Sequence, residues 1–560
     1  MQELIKNGTS LLNRRQTNIL SAAFIIMVTY ATSHLVGLLK TRLLISVFFG
    51  SKASLLDVYY AAFVIPDTLF QLLVIGSLSA AFIPVYTRLL AKKEDEAWYV
   101  AGTSLNIVLL IFILVSFSIF VFAKPLSGLI APGFNPAQIT IMASLLRVML
   151  SAQIFFCISG FLTGIIQSHQ RFLIPALAPI AYNLGIVAGT VFLSPAFGIF
   201  GPAIGVVIGA ALHMAIQIPI AISLGFRFIP SVDPRHPAVR DIIKLMSPRA
   251  LALGIDQIEQ FIAVILCSLL ASGSLTIFNV ARLLYALPTS LFGVTIGQAA
   301  LPALSRESVE TDKRHYRQTL VDSLFQIAFL ALPISTLFIV LRIPIVRLVF
   351  GAKSFPWIAT LTTGKTLAIL AVSSCFSALM QLIIRGFYAI HDTKTPLLVG
   401  FFAAVFDVSL GIILVKVFNL GVLGLAAAIS LTSICETVIL FWLLYPRLHA
   451  DKNFLIHISS SFTKMIIASF ITGFSLWFPM RILDQFVFDT TRTLPLIGLS
   501  LVTSLIGFSV YLLLSYLFRV EELGSFAVLL KRLRNWRDIF LPPTQEPLKE
   551  PFILSAPDQN

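Results

Sequence analysis

From about residue 17 to about residue 520 the chain alternates long apolar runs with short polar connections. About 20 mostly apolar residues suffice for a helix to cross a hydrocarbon core, and about fourteen such runs can be placed. They begin near residues 18, 56, 99, 140, 174, 200, 243, 274, 319, 358, 396, 419, 462 and 494. The first, second, fourth, seventh and tenth exceed the required length, which implies tilt or turns beyond the bilayer. The pattern predicts an all-α integral membrane protein. The second run differs from a plain anchor: Asp57 stands at its entry, Pro66 in its interior, and Gly76 follows before the exit at Pro84. Charges in hydrocarbon cost about 2.5–3.5 kcal/mol each on insertion scales, so those retained usually face a wet cavity or a partner. A polar path through the interior, and hence transport, is the implied function class.

Composition agrees. Of 560 residues, 57% are hydrophobic and 12% charged, with a mean hydropathy of +0.93; soluble domains carry about twice that charged fraction. The net charge of +14 would suit nucleic acid, but the cations cluster on alternate connections. These hold Lys6, Arg14 and Arg15; Arg88, Lys92 and Lys93; Arg171; Arg227, Arg235 and Arg240; Arg306, Lys313, Arg314 and Arg317; Lys394; Arg447 and Lys452; and Lys531, Arg532, Arg534 and Arg537. The positive-inside rule then sets both termini in the cytoplasm. The excess charge is topological, with some attraction to anionic membrane lipids, and nucleic acid is not expected as a partner. No small-residue cleavage site follows the first run, which reads as a retained helix. Cys157, Cys267, Cys375 and Cys435 lie far apart within spans. They read as small buried hydrophobes, not as a disulfide framework or a metal site.

The expected organisation is a cytoplasmic segment 1–16, a helical bundle 17–230 (spans 1–6), a second bundle 231–446 (spans 7–12), spans 13–14 over 447–520, and a basic cytoplasmic tail 521–560. The proline-rich stretch Arg227–Arg240 forms the joint between the bundles. The halves echo one another. Pro66-Asp67-Thr68-Leu69-Phe70 is matched by Pro288-Thr289-Ser290-Leu291-Phe292, each followed by a glycine (Gly76, Gly297) and then by an apolar residue plus proline (Ile83-Pro84, Leu301-Pro302). The turn at Gln170–Pro175 resembles that at Asp392–Pro396. A repeat of six spans preserves orientation, which predicts a pseudo-twofold axis near the membrane normal and a central cavity between the bundles. Pro66 and Pro288 each remove a backbone hydrogen bond and break the helix ladder, as a fixed kink or as a hinge for alternating access.

Together these residues resemble the MurJ/MviN lipid II flippases. The resemblance is carried by Leu56-Asp57-Val58-Tyr59-Tyr60-Ala61-Ala62-Phe63 with Ala80-Ala81-Phe82-Ile83-Pro84, and by Ala131-Pro132-Gly133-Phe134. It continues through Arg171-Phe172 with Pro175 and Pro179, Gly209 with Gln217-Ile218-Pro219, and Leu270-Ala271-Ser272-Gly273-Ser274. Leu301-Pro302 with Ser305, and Gly386-Phe387-Tyr388 with Asp392-Thr393-Lys394-Thr395-Pro396, complete a series that keeps the family's order from residue 17 to about 445. The resemblance implies a member of the multidrug/oligosaccharidyl-lipid/polysaccharide exporter superfamily, active as a monomer in the bacterial cytoplasmic membrane. Its implied cargo is lipid II, an undecaprenyl diphosphate bearing a disaccharide-pentapeptide, carried to the outer face.

A diphosphate crossing a low-dielectric region needs cations, and arginine pairs with it bidentately. The family's first-span arginines correspond to His34 and Lys40, its adjacent second-span arginines to Phe70 and Gln71, and a following glutamate to Ile75. In span eight Arg282 remains, after Ala281. Substrate-binding candidates are therefore Lys40, Arg282, His34 and Arg42. For Lys40 and Arg42, snorkelling to the interface is the alternative; for His34 it is helix packing. Asp57 either caps a helix or gates. Asp256 and Asp407 lie deep within spans and are either protonated, paired, or candidates for Na⁺ or H⁺ coupling, with membrane potential as another drive. No Asp-x-Asp pair, histidine cluster, nucleophile elbow or P-loop is present, so neither an enzyme nor a cofactor is expected. The departures from the family's arginines keep another polyprenyl-diphosphate-linked glycan open as cargo; a multidrug or small-molecule antiporter of the same superfamily is the further alternative, against which the fit of the lipid II flippase motifs argues.

Overall fold

A computed structural model of the chain describes residues 19–75, 81–309, 313–351, 354–448, 452–487, 493–520 and 522–524. The expectations for Gly76, for the segment 1–16 and for the tail beyond 524 lie outside the described residues. So do the side chains of Arg249 and Asp256.

The first half comprises α1 (Ile19–Phe48), α2 (Ala53–Phe70), α3 (Ile83–Leu90), α4 (Glu94–Val121), α5 (Ala123–Ile130), α6 (Pro136–Ser168), α7 (Leu173–Ala188), α8 (Ser194–Phe197), α9 (Phe200–Ala215) and α10 (Ile218–Ser223). The second comprises α11 (Pro237–Ser268), α12 (Ser274–Pro288), α13 (Thr295–Glu307), α14 (Arg314–Val340), α15 (Arg342–Phe350), α16 (Trp357–Ala389), α17 (Lys394–Ile412) and α18 (Val422–Leu444). Two further helices follow, α19 (Lys452–Phe486) and α20 (Thr493–Leu517). Among the described residues, 12 helical segments are long and apolar enough to cross a membrane. Helices α1 and α11, at 30 and 32 residues, are also of crossing length. Large apolar side chains such as Phe192, Trp442 and Phe474 stand on the outside of the molecule, where only a hydrocarbon solvent would accept so many of them.

The internal echo of the sequence is an echo of structure. In the first half α1 packs on α7, α2 on α6, α4 on α6, α6 on α9, and α7 on α9; in the second, α11 packs on α17, α12 on α16, α14 on α16, α16 on α18, and α17 on α18. The two helices of the sequence echo each run into a π-helical turn, Gln71–Ile75 after Pro66 and Thr289–Val294 after Pro288. Helices α7 and α17 end likewise, in Gly189–Leu193 and Ile413–Val417. Gln170 and His391 take the same left-handed conformation (φ 59° each) at corresponding turns, and Gly198 and Gly421 (φ 55° and 57°) at the next.

A π turn leaves a carbonyl without its helical donor, and that group needs another partner in an apolar setting. After Pro288 the guanidinium of Arg385, from α16, donates to Gly293 O (3.3 Å) and to Gln381 O (3.0 Å). It reaches there because residue 297 has no side chain: a Cβ on Gly297 would lie 2.2 Å from Arg385 Nη1.

The halves differ in how their helices are joined. In the first, α7 and α9 touch backbone to backbone: a Cβ on Gly185 would lie 2.3 Å from Gly209 Cα, and one on Gly209 2.4 Å from Tyr182 O. Such small-residue seams replace the hydrophobic drive that lipid removes. In the second, hydroxyls join α16 to α18: Ser377 meets Ser433 at 2.6 Å, Ser373 donates to Ser430 (3.3 Å) and Thr437 to Phe376 O (3.1 Å). Cys157, Cys267 and Cys375 are buried as expected, but Cys435 is exposed, on the outward face of α18, where lipid replaces protein as its apolar surroundings.

The joint between the halves is fastened along its length. Asn106 on α4 donates to Ile229 O (2.8 Å) and Ser231 O (2.9 Å), and Ser231 Oγ donates to Tyr99 OH (3.0 Å). His236 lies 3.8 Å from Glu96, and Arg88 3.8 Å from Asp241. At the turn between α16 and α17, Asp392 accepts from Thr395 and Arg447. Burial works to raise its pKa, but those bonds outweigh it and hold the carboxyl well below the usual range.

Gly209→Ala should lower thermal stability by about 1–3 kcal/mol, because backbone atoms cannot yield to the new methyl. Gly128→Ala, whose nearest neighbour would be Ile139 Cδ1 at 4.0 Å, should leave the melting temperature unchanged or raise it. Thermal unfolding of the two purified variants measures the difference.

Candidate functional site

At the end of the molecule where α1 passes to α2, the two halves are bound together. Asp57 is 3% exposed and belongs to α2, yet it caps a helix of the opposite half. It accepts from Gly273 N (2.6 Å), Thr276 N (2.8 Å) and Thr276 Oγ1 (2.7 Å) at the start of α12. The first-turn N–H groups of a helix lack internal partners and carry partial positive charge, so a carboxylate there satisfies both needs. Gly273 adopts φ +92°, and a Cβ there would come within 3.0 Å of the Phe49 ring. Around this cap, Arg42 Nη1 donates to Leu348 O (2.9 Å), Ser354 Oγ donates to Ser46 O (2.5 Å) and Gly133 N donates to Ser268 Oγ (3.2 Å). The Phe49 and Phe355 rings meet at 4.8 Å.

Beneath this closure α2, α11 and α12 line a half-open cavity of about 140 Å³. Its polar lining is Tyr60, Asp67, Gln260, Asn279 and Arg282; the rest is aliphatic or aromatic, including Phe63 and Phe278. The Arg282 side chain is 30% exposed, and its Nη2 lies 4.0 Å from Glu259 Oε1. That separation exceeds a charge-assisted hydrogen bond, about 2.7–2.9 Å, so the fork retains donors for an anion. Its guanidinium carbon is 5.7 Å from the centre of the Phe278 ring. On the far side of Arg282, Asp407 on α17 has Glu259, Arg282 and Glu436 as charged neighbours. Three acids and one arginine thus meet in the second half.

The candidates separate accordingly. Arg282 lines the cavity. Lys40 is half-buried on α1 and has no hydrogen bond or ion pair among the described residues. His34 is half-buried on the same helix. Arg42 is engaged at the closure by Leu348 O. Pro66 and Pro288 are buried, each just before a π turn. Sequence reasoning passed over Asp67, Gln260 and Asn279. Asp67 stood in the quoted repeat beside Pro66 without being singled out, and the two amides lacked any spacing signal.

The family described as lipid II flippase MurJ matches residues 45–496 of this chain. The chain belongs to that family. Among its relatives is a probable lipid II flippase MurJ of Thermotoga maritima, 26% identical over 493 residues, covering 88% of this chain and 95% of that protein. Another, from Vibrio cholerae, is 27% identical over 442 residues, covering 76% and 82%. Among solved structures, a lipid II flippase MurJ in an inward closed conformation has the same fold, with a TM-score of 0.74, 24% identity and coverage of 88% of this chain and 98% of that one. An inward-facing multidrug resistance transporter of the MATE family shares it more distantly, at a TM-score of 0.64 and 16% identity over 76% of this chain and 98% of that one.

Where the MurJ resemblance leads one to expect second-span arginines, this member has aromatic packing. The Phe70 ring lies 5.3 Å from Phe156, which meets Tyr182 at 4.9 Å and His213 at 5.3 Å. Behind them, His213, Ser159, Gln217 and Thr163 form a buried chain: Ser159 Oγ lies 2.6 Å from His213 Nδ1, Gln217 Nε2 donates to Ser159 (2.7 Å) and Thr163 donates to Gln217 (2.8 Å).

Replacing Asp57 with Ala should cost about 1–2 kcal/mol by removing the cap. It should also loosen the closure, so that chemical cross-linking between cysteines introduced at Ser46 and Ser354 falls several-fold. Unchanged cross-linking would mean that the closure does not depend on Asp57.

Proposed function

We propose that this chain moves lipid II, or a closely related polyprenyl-diphosphate glycan, across the bacterial cytoplasmic membrane, and does so by alternating access without altering the lipid covalently. The observation carrying this reading is membership of the lipid II flippase family over residues 45–496, joined to a cavity between the halves that contains Arg282. Fourteen spans in two bundles, both termini in the cytoplasm and a monomeric working unit complete the proposal. With that orientation the Asp57 cap lies on the outer side, and the conformation described is closed outward. The headgroup enters from the cytoplasm, Arg282 pairs with a diphosphate oxygen, and the unpartnered Lys40 ammonium supplies a second charge. Opening outward requires Asp57 to release α12.

The broader cargo is favoured by one observation: Phe70 and Gln71 stand where arginines are expected, and Phe70 is stacked on Phe156. A site with fewer cations relies more on contacts to sugar. The Asp407, Glu259 and Glu436 group supports a coupling site for Na⁺ or H⁺, with Asp256 as a further candidate on α11.

The deciding experiment is depletion of the native flippase in a cell with peptidoglycan, followed by expression of this chain. Growth with normal lipid II turnover at the outer face is the expected outcome; lysis despite full expression would remove lipid II as cargo. In the same assay, Arg282→Ala should abolish rescue and Arg282→Lys retain part of it, since lysine keeps the charge and loses the bidentate fork. Lys40→Gln should be nearly as damaging. Rescue by well-expressed Arg282→Ala would take Arg282 out of the headgroup site.

A further inference from the structure

The small cavity between α2, α11 and α12 contains an acid without a counterpart. Asp67 lines it together with Arg282, Tyr60, Gln260 and Asn279. Among the described residues Asp67 has no hydrogen-bond or ion-pair partner. The one cation lining the cavity, Arg282, leans instead toward Glu259 on α11. The titratable groups of the surrounding elements are soon accounted for. On α2 itself, Asp57 is occupied by its cap, and Tyr60 is linked to Thr41 of α1. Helix α7 contributes Tyr182, an electrostatic neighbour of Asp67. Helix α6 contributes Phe156 against Phe70, with Cys157 buried behind it. On α1, Lys40 is half-buried and unpartnered, His34 is half-buried, and Arg42 is engaged by Leu348 O. None of these pairs with the Asp67 carboxylate. An acid within a membrane span that lacks a protein partner is stable when it carries a proton or holds a cation from water. Asp67 brings the one carboxylate of the lining, beside the neutral oxygens of Tyr60, Gln260 and Asn279. A proton asks for one oxygen only.

We propose that Asp67 is a proton-binding site of the translocation cavity, taking up one proton as an anionic diphosphate headgroup enters and giving it back when the headgroup leaves. This rests on the reading of the cargo as a polyprenyl diphosphate. An entering diphosphate would share this small space with Asp67, and two negative groups held close together within a span repel until one of them protonates. The proton comes from water on the open side and ends on a carboxylate oxygen. Asp67 then changes from a repelling anion to a hydroxyl donor facing the phosphate, while Arg282 keeps its charge. Cargo entry and proton entry become a single linked event, and the acid is re-ionised when the site faces the other side.

The experiment uses the full-length protein in lipid nanodiscs with undecaprenyl diphosphate as probe. Binding heats measured in two buffers of different ionisation enthalpy report protons taken up per lipid bound. About one proton is expected for the parent and for Asp67→Glu, and none for Asp67→Asn. Above the midpoint of Asp67, parent affinity should fall about tenfold per pH unit, and Asp67→Asn affinity should stay flat. Equal uptake in Asp67→Asn, a pH-independent parent, or replacement of the proton effect by a sodium requirement would each overturn the proposal. A parent that binds no diphosphate lipid at any pH would refute the cargo reading instead. Asp67 is then judged without ligand, by the infrared carbonyl band of a protonated carboxyl. On lowering the pH through the Asp67 midpoint the band should grow in the parent and not in a monodisperse Asp67→Asn protein; growth equal in both overturns the assignment.

Discussion

A backbone carbonyl or amide that loses its helical partner inside hydrocarbon has to find another, and much of this molecule is arranged around that need. Pro66 and Pro288 interrupt the two helices that border the central cavity, and each interruption is followed by a π turn. In the second half the Gly293 carbonyl of that turn accepts from Arg385, a guanidinium admitted by the missing side chain at Gly297. The start of α12 is met by Asp57. Because that donor and acceptor belong to different halves, satisfying the backbone also joins them. A local requirement of helix termini thereby becomes the fastening of the whole structure at one end.

The same economy shapes the cavity. Arg282 stands between the space lined by Asp67 and the acids around Asp407, and its long contact with Glu259 shares its charge between two environments. An anion approaching from the cavity competes with Glu259 for one guanidinium. Anything that draws Arg282 toward the cavity leaves the acids behind it less compensated and more receptive to a cation, which is the physical form that coupling between two sites takes. Phe70 and Gln71, where the family resemblance leads one to expect arginine, make this competition sharper, since fewer positive groups dilute it.

Most of the fold was legible in the sequence because lipid imposes one rule on every span: about 20 apolar residues, bounded by polar ones. The starts of the helices follow the hydrophobic runs, and the repeat around Pro66 and Pro288 marked the two helices that border the cavity. The partners of individual charges were not legible. Asp57 read equally as a cap or a gate, because its partner lies more than two hundred residues away. The role of Arg385 was not legible, since nothing local points to a carbonyl on another helix. Asp67 was hidden by its neighbour, the proline being the louder signal. Cys435 read as buried because a sequence run does not distinguish a face turned to lipid from one turned to protein. Periodicity reports the solvent of a helix; it is silent on which helix will answer a given polar group.

The strap from Ile229 to His236 has a mechanical meaning beyond its hydrogen bonds. Held to Tyr99, Asn106 and Glu96 of α4, it travels with the first half, although the sequence places it between the two. Relative motion of the halves therefore cannot be taken up by a slack tether. It has to be absorbed within α11 itself, downstream of His236, which turns one membrane helix into a flexing beam clamped at one end, and turns its stiffness into a determinant of how fast the molecule can turn over.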